Sequence, residues 1–270
     1  MELKCYDFSG IKVGVQCETE LEESAALKKF AVCENPDFTV TLEFRESIPE
    51  TADESAEWYC RKAKLEADLP DQTFVYTVFS GSSCRMYALE RFRNGFGVDS
   101  VFRHLPLHHL LLKKDAFIIH ASYVLADGKA ILFSAPSGTG KSTQAELWRS
   151  HRGAAVINGD RVLVRRTENG FTAGGIYYSG TSGICENVTA PIRAIALISQ
   201  AQQSTAEKCR GGEAFRRLLK ECAYSAEFEN DPADVAALLA DAVNTVDIAR
   251  LDCLPDESAV IALENYLMER

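Results

Sequence analysis

The 270-residue chain has no apolar run approaching the roughly 20 residues that a membrane-spanning helix needs, so no span is expected. The stretch from Met1 to Asp7 has neither a basic n-region nor an apolar h-region, so no signal peptide is expected and the protein is assigned to the cytoplasm. Internal repeats and low-complexity tracts are lacking. Nine cysteines are present, but none forms a C-x-x-C pair. Their odd number and scattered spacing exclude a zinc site and a disulfide framework, leaving reduced, mostly buried thiols as the expectation. Positive charge is in deficit, with 29 Lys and Arg against 39 Asp and Glu, a net charge of −10. Nucleic acid and anionic membrane are therefore excluded as expected partners.

What is present points to a globular protein. Hydrophobic residues make up 46% and charged residues 25%, in a length that allows one large domain or two small ones. The charge deficit sits mainly in residues 1–100, with 19 acidic against 11 basic side chains; the remainder carries 20 against 18. The near-neutral second part is the better place for a polyanionic ligand.

Residues 1–100 contain short alternating apolar stretches: Leu3–Phe8, Ile11–Cys17, Phe38–Phe44, Ala56–Ala63, Thr73–Phe79 and Cys84–Glu90. Acidic turn-like segments, Ser47–Glu54 and Leu69–Gln72, separate some of them. A small, mainly antiparallel β domain is predicted there, with substrate docking and oligomer contacts both open as its role. From residue 101 to 270 the texture is α/β. A helix is predicted over Phe102–Lys114, then a strand over Phe117–Leu125, a turn at Asp127-Gly128 and a strand over Ala130–Ala135. A helix from Lys141 to about Ser150 and a strand over Ala154–Asn158 follow. Further helices are predicted around Ala214–Cys222, after Asp231-Pro232, and after Pro255.

The segment Ala135-Pro136-Ser137-Gly138-Thr139-Gly140-Lys141-Ser142-Thr143 falls between a predicted strand and a predicted helix. It fits G-x-x-x-x-G-K-[ST] except for Ala135 in the first position. Such a loop turns backbone N–H groups toward phosphate oxygens, while the helix start adds its positive dipole end. Ser137 to Thr143 are thus the expected contacts to a nucleoside triphosphate, ATP in the first instance. Lys141 would reach the β- and γ-phosphates and the Ser142 hydroxyl would ligate Mg²⁺. The alternative is an ordinary strand–turn–helix with a solvated Lys141.

Phosphoryl transfer also needs a carboxylate near the γ-phosphate, for the metal or for the proton of the attacking hydroxyl. Asp160 stands at the end of the strand after the P-loop helix. That strand is expected beside the P-loop strand, which would bring Asp160 into the same crevice as a Mg²⁺ ligand and a base. A plain turn aspartate after Asn158-Gly159 is the alternative.

The order of P-loop, helix, strand and Asp160-Arg161-Val162 resembles HPr serine kinase/phosphorylase and its relative phosphoenolpyruvate carboxykinase. The matching stretches are Ile119-His120-Ala121-Ser122, Ser137 to Ser142, and Asn158 to Val162. Gly180-Thr181-Ser182-Gly183-Ile184-Cys185, Ala190-Pro191-Ile192-Arg193-Ala194 and the tail Leu251–Asp256 resemble bacterial HPr-kinase-like proteins of unassigned substrate. The resemblance covers about residues 100–268. It implies a P-loop kinase domain at 101–270 behind the β-rich domain at 1–100. The implied activity is ATP- and Mg²⁺-dependent transfer to a Ser or Thr hydroxyl of a small protein or peptide. It also places His120 near the transferred phosphate. Where HPr kinase carries two adjacent aspartates this chain has Gly159 and Asp160, and the family's later Arg-Gly signature loop has no match. A small-molecule hydroxyl such as free serine, and a nucleotide-binding regulator without catalysis, therefore stay open.

Other candidates have two readings each. His120 is either a group at the transferred phosphate or a hydrogen-bonded core histidine. Arg161 either clamps a phosphate or makes a surface salt bridge. The loop Ser179–Gly183 either holds an anion and gates the crevice or is an ordinary connection. His104, His108 and His109 lack partners at metal spacing and are expected to be structural.

Overall fold

A computed structural model describes residues 2–48, 56–64, 72–224 and 228–270. The predicted turn segments at 49–54 and 69–71 lie outside these residues. The chain divides into two compact units, Met1–Leu110 and Leu111–Arg270.

The first unit contains β1 (Glu2–Phe8), β2 (Ile11–Cys17), α1 (Ala25–Lys28), β3 (Ala31–Val32), β4 (Phe38–Arg45), β5 (Trp58–Lys64), β6 (Gln72–Ser80), β7 (Ser83–Leu89) and α2 (Val98–His104). The strands form one sheet in the order β3-β1-β2-β4-β7-β6-β5. This sheet is mixed, not simply antiparallel, because β4 runs parallel to both β2 and β7. Alternation along a strand reports which face is buried, and it carries no information on the direction of the neighbour. The β1–β2 hairpin turns at Ser9 and Gly10, both at positive φ. Phe102 on α2 meets Tyr6 and Phe8 edge-on, with both ring centroids 5.5 Å away. The predicted helix over Phe102–Lys114 is in fact two, α2 and α3 (Leu107–Leu112). Pro106 separates them, and Leu105 before it is held extended at φ −80°, ψ 141°.

The second unit is built on β8 (Ala116–Ala126), β9 (Lys129–Ser134), α4 (Lys141–Arg152), β10 (Ala155–Asn158), β11 (Arg161–Thr167), β12 (Gly170–Gly174), β13 (Thr189–Gln200), β14 (Thr205–Lys208), α5 (Gly211–Leu219), β15 (Cys222–Ala223), α6 (Asp231–Thr245), β16 (Asp247–Cys253) and α7 (Glu257–Met268). Cys222, expected at the end of a helix, instead starts β15, which pairs with β8. The sheet is mixed: β9, β13 and β16 run parallel, and β8 pairs antiparallel with β9, β10 and β11.

Both faces of this sheet are covered, which explains the nearly continuous apolar run of β9. Ile131 and Phe133 face Ala145 and Trp148 of α4 and Val260 and Leu263 of α7. Ala130 and Leu132 face Leu218 of α5 and Val235 and Leu239 of α6. Helix α4 ends at Gly153, in the left-handed region at φ 66°, and its last turn carries Arg149, His151 and Arg152 against the negative dipole end. Trp148, 4% exposed, packs its ring 6.4 Å from that of Phe133 and anchors α4 to the sheet. Truncation of a Trp so buried to Ala costs about 3–5 kcal/mol. Among the described residues, no helix is long and apolar enough to cross a membrane.

Candidate functional site

The loop between β9 and α4 is bent at two glycines. Gly138 and Gly140 lie at φ 78° and 119°, conformations that side chains on Cβ oppose. Thr139 N–H donates to Pro136 O at 3.3 Å, and Gln144 N–H to Gly140 O at 3.0 Å, which closes the first helical turn. The Lys141 ammonium folds back over this loop, donating to Ala135 O at 2.8 Å and to Pro136 O at 3.2 Å. An ammonium has three donors, so one remains for a ligand. Burial lowers the Lys141 pKa, and the carboxylates of Glu221 and Asp160 oppose that shift. At 7% exposure Lys141 is thus a held cation, unlike the solvated lysine of an ordinary turn. The first turn of α4 is tied to β8 by the Ser122 hydroxyl, which donates to Lys141 O at 2.9 Å.

Asp160 reaches the loop by a route other than the expected one. Strand β10 pairs with β8, not with the P-loop strand β9, so β8 lies between them. His120 on β8 bridges the gap, because β11 starts directly opposite it with Arg161. Ala121 N–H donates to Asp160 O at 3.0 Å. The turn is shaped by Asn158, which is fully buried. Its amide donates to Ile176 O and Tyr178 O at 2.8 and 2.9 Å, and its Oδ1 accepts from the N–H groups of Asp160 and Arg161. Its buried amide thus ties the Asp160-Arg161 backbone to the segment Ile176–Tyr178.

A cavity of about 280 Å³, near the lower end for ligand pockets, is lined by residues from all these segments. His120, Ser137, Lys141, Ser142, Asp160 and Ser182 are among them. Gly138, Gly140 and Thr143 also line it, so the structure brings the P-loop, Asp160 and His120 together. Arg161 does not line it. Its Nε lies 3.6 Å from Asp160 Oδ2 and its guanidinium 5.2 Å from the Tyr178 ring centroid, an ion pair and a cation–π contact at the rim. The loop Ser179–Gly183 is packed against the turn at Gly159-Asp160. Gly180, at φ 53°, approaches so closely that a Cβ there would lie 2.7 Å from Asp160 Cγ.

One residue of the cluster has no motif in the sequence. Glu221, between α5 and β15, puts its Oε2 3.0 Å from His120 Nδ1, and its backbone oxygen accepts the His120 N–H at 2.8 Å. The only sequence signal was an acidic residue just before a short apolar stretch. Its neighbourhood with His120 depends on a strand pairing across 101 residues.

The donor set fits a magnesium ion held mainly through phosphates. Among the described residues no group of three or more His, Cys, Asp or Glu could hold a metal ion. Magnesium keeps several waters and commonly takes one or two protein oxygens beside substrate phosphates, which Ser142 and Asp160 could supply. His104 packs instead on Phe74 and Phe96, and His109 on Phe79, with ring centroids 5.4 to 5.9 Å apart.

No family model matches the chain, and no curated protein matches it. Among solved structures, the Hpr(Ser) kinase/phosphatase from Coxiella burnetii aligns at 10% identity. The alignment covers 56% of this chain and 91% of that one, with a TM-score of 0.32. A score that low leaves the functional reading to rest on the site's own residues.

Proposed function

We propose that this protein is a P-loop phosphotransferase of the HPr-kinase type that binds ATP with Mg²⁺ and transfers the γ-phosphoryl group to a hydroxyl. One observation carries the proposal: a glycine-bent loop at a helix start, with a buried lysine, shares one cavity with a carboxylate and a histidine from another part of the sheet. The loop amides and Lys141 hold the phosphates. Ser142 and Asp160 are the residues that would hold magnesium, which when bound neutralises charge on the phosphate oxygens. Lys141 and the helix start remain fixed while charge shifts toward the leaving oxygen, which stabilises the transition state without reorganisation. Arg161 pairs with Asp160 at the rim.

The acceptor follows from the sequence resemblance alone: a Ser or Thr hydroxyl of a small protein or peptide, with free serine as a smaller alternative. All nine cysteines are free, which suits a reducing compartment, and we place the protein in the cytoplasm. A second reading, a nucleotide-binding regulator without catalysis, is favoured by Gly159, whose family counterpart is an acid. Single-turnover transfer from γ-labelled ATP to a cell lysate separates the two. A labelled acceptor is expected; tight binding with neither a labelled acceptor nor ADP formation would overturn the kinase reading in favour of the regulator.

A further inference from the structure

The cavity at the P-loop is lined by hydroxyl side chains from two separate segments. Ser137, Ser142 and Thr143 belong to the loop between β9 and α4 and to the first turn of that helix. Thr181 and Ser182 come from the loop after β12, which packs on the turn at Gly159-Asp160. These last two hydroxyls are not equivalent. That of Ser182 is taken up by Ser179 O and by the N–H of Ile184. Thr181 is exposed, and among the described residues its hydroxyl has no hydrogen-bond partner. Its neighbours hold it in place: Ser182 is pressed against Gly159, and Gly180 against Asp160. Thr181 is therefore a free hydroxyl at a fixed point of the wall that also carries Lys141 and Ser142.

In phosphoryl transfer the attacking and leaving oxygens lie roughly in line through the γ-phosphorus. The hydroxyls of the β9–α4 loop stand with the groups that grip the phosphates, and Ser142 is given to the cation. A hydroxyl that meets the γ-phosphorus from the side away from the leaving group has to come from another segment. One built into the cavity wall is held near the phosphate without the entropy cost of admitting a second substrate. We propose that Thr181 is a modification site, the chain's own acceptor, whose hydroxyl takes the γ-phosphoryl group of the ATP bound in the same chain. The proposal rests on the phosphotransferase reading above. In the step, the Thr181 O–H bond breaks and its proton passes to solvent, to which the residue is exposed. Oγ1 bonds to the γ-phosphorus, and the bond from that phosphorus to the β–γ bridging oxygen breaks, releasing ADP.

The test incubates the full chain with γ-labelled ATP and Mg²⁺, with no other protein present. Intact mass and phosphopeptide mapping read the product, and ADP is measured alongside. The expected result is a wild type that gains a single phosphoryl group, on Thr181. Thr181→Val, which keeps the shape of the side chain without its hydroxyl, should take up no label. Thr181→Ser should take it up at position 181, which ties the loss in Thr181→Val to the hydroxyl itself. Because transfer stays within one chain, the labelled fraction should rise at the same rate whatever the protein concentration. Lys141→Ala mixed with wild type should stay unlabelled. A wild type that binds ATP and forms ADP without phosphate on Thr181 would overturn the proposal and leave the phosphotransferase reading standing. So would label on Ser182 or elsewhere in its place, label that survives Thr181→Val, or label passed to Lys141→Ala. A wild type that binds no ATP, or binds it with neither transfer nor ADP formation, would defeat both.

Discussion

Ser182 stands where a side chain on Gly159 would have to go. A Cβ on Gly159 would lie 2.7 Å from the Ser182 Cβ, with the hydroxyl oxygen nearer still. That hydroxyl is itself engaged, donating to Ser179 O at 2.7 Å and accepting from Ile184 N–H at 3.2 Å. The glycine at 159 and the loop at 179–183 are therefore one feature. Only glycine lets the loop close over the turn that carries Asp160.

Gly159→Ala is expected to push the loop away and to lower stability by about 1–2 kcal/mol, the usual scale of overpacking. The double variant Gly159→Ala/Ser182→Gly should recover most of that loss, since residues in contact couple. Denaturant titration of the three proteins measures it. Equal losses in the single and double variants would show that Ser182 is not the obstacle.

Asp160→Asn keeps size and one oxygen but removes the charge. Because the account gives Asp160 to the cation, ATP affinity with Mg²⁺ should weaken by about 10- to 10²-fold, and transfer should fall with it. Affinity in EDTA should hardly change. Titration calorimetry with and without the metal checks this, and retained Mg²⁺-dependent affinity with lost transfer would give Asp160 the base role instead.

The sequence made the P-loop legible because its chemistry is local: strand, glycines, Lys141 and helix follow one another without interruption. Asp160 was singled out by its place at the end of the strand after the P-loop helix, and His120 by the resemblance alone. The strand meant to carry Asp160 was misplaced by one position, since Ala154–Asn158 shows only that it is apolar and not which edge it joins. Glu221 was missed altogether, because its place beside His120 depends on β15 pairing with β8. The parallel pairs in the first sheet were hidden for the same reason. Pro106 was visible in the sequence, yet the apolar spacing on either side of it read as one helix.

His104 gives a pH dependence in the first unit. Burial, first, and then the charges of Arg103 and Lys62 push its pKa from 6.5 down to about 4. The folded form therefore favours the neutral ring, while the unfolded chain takes up a proton near 6.5. Stability from this group is present above that pH and is lost as pH falls from 6.5 toward 4. His104→Gln should flatten this part of a plot of melting temperature against pH. An unchanged slope would show that other groups set it.

If Lys141 and its loop hold a nucleoside triphosphate, calorimetric titration of ATP with Mg²⁺ into wild type and Lys141→Ala will show it. Saturable one-site binding by the wild type is expected, with a ligand-induced rise in melting temperature. In Lys141→Ala, affinity should fall by at least about tenfold, the equivalent of some 1.4 kcal/mol, while the protein stays folded. A wild type that binds no ATP, or a Lys141→Ala protein that binds it as tightly as the wild type, would show that this loop is not a nucleotide site.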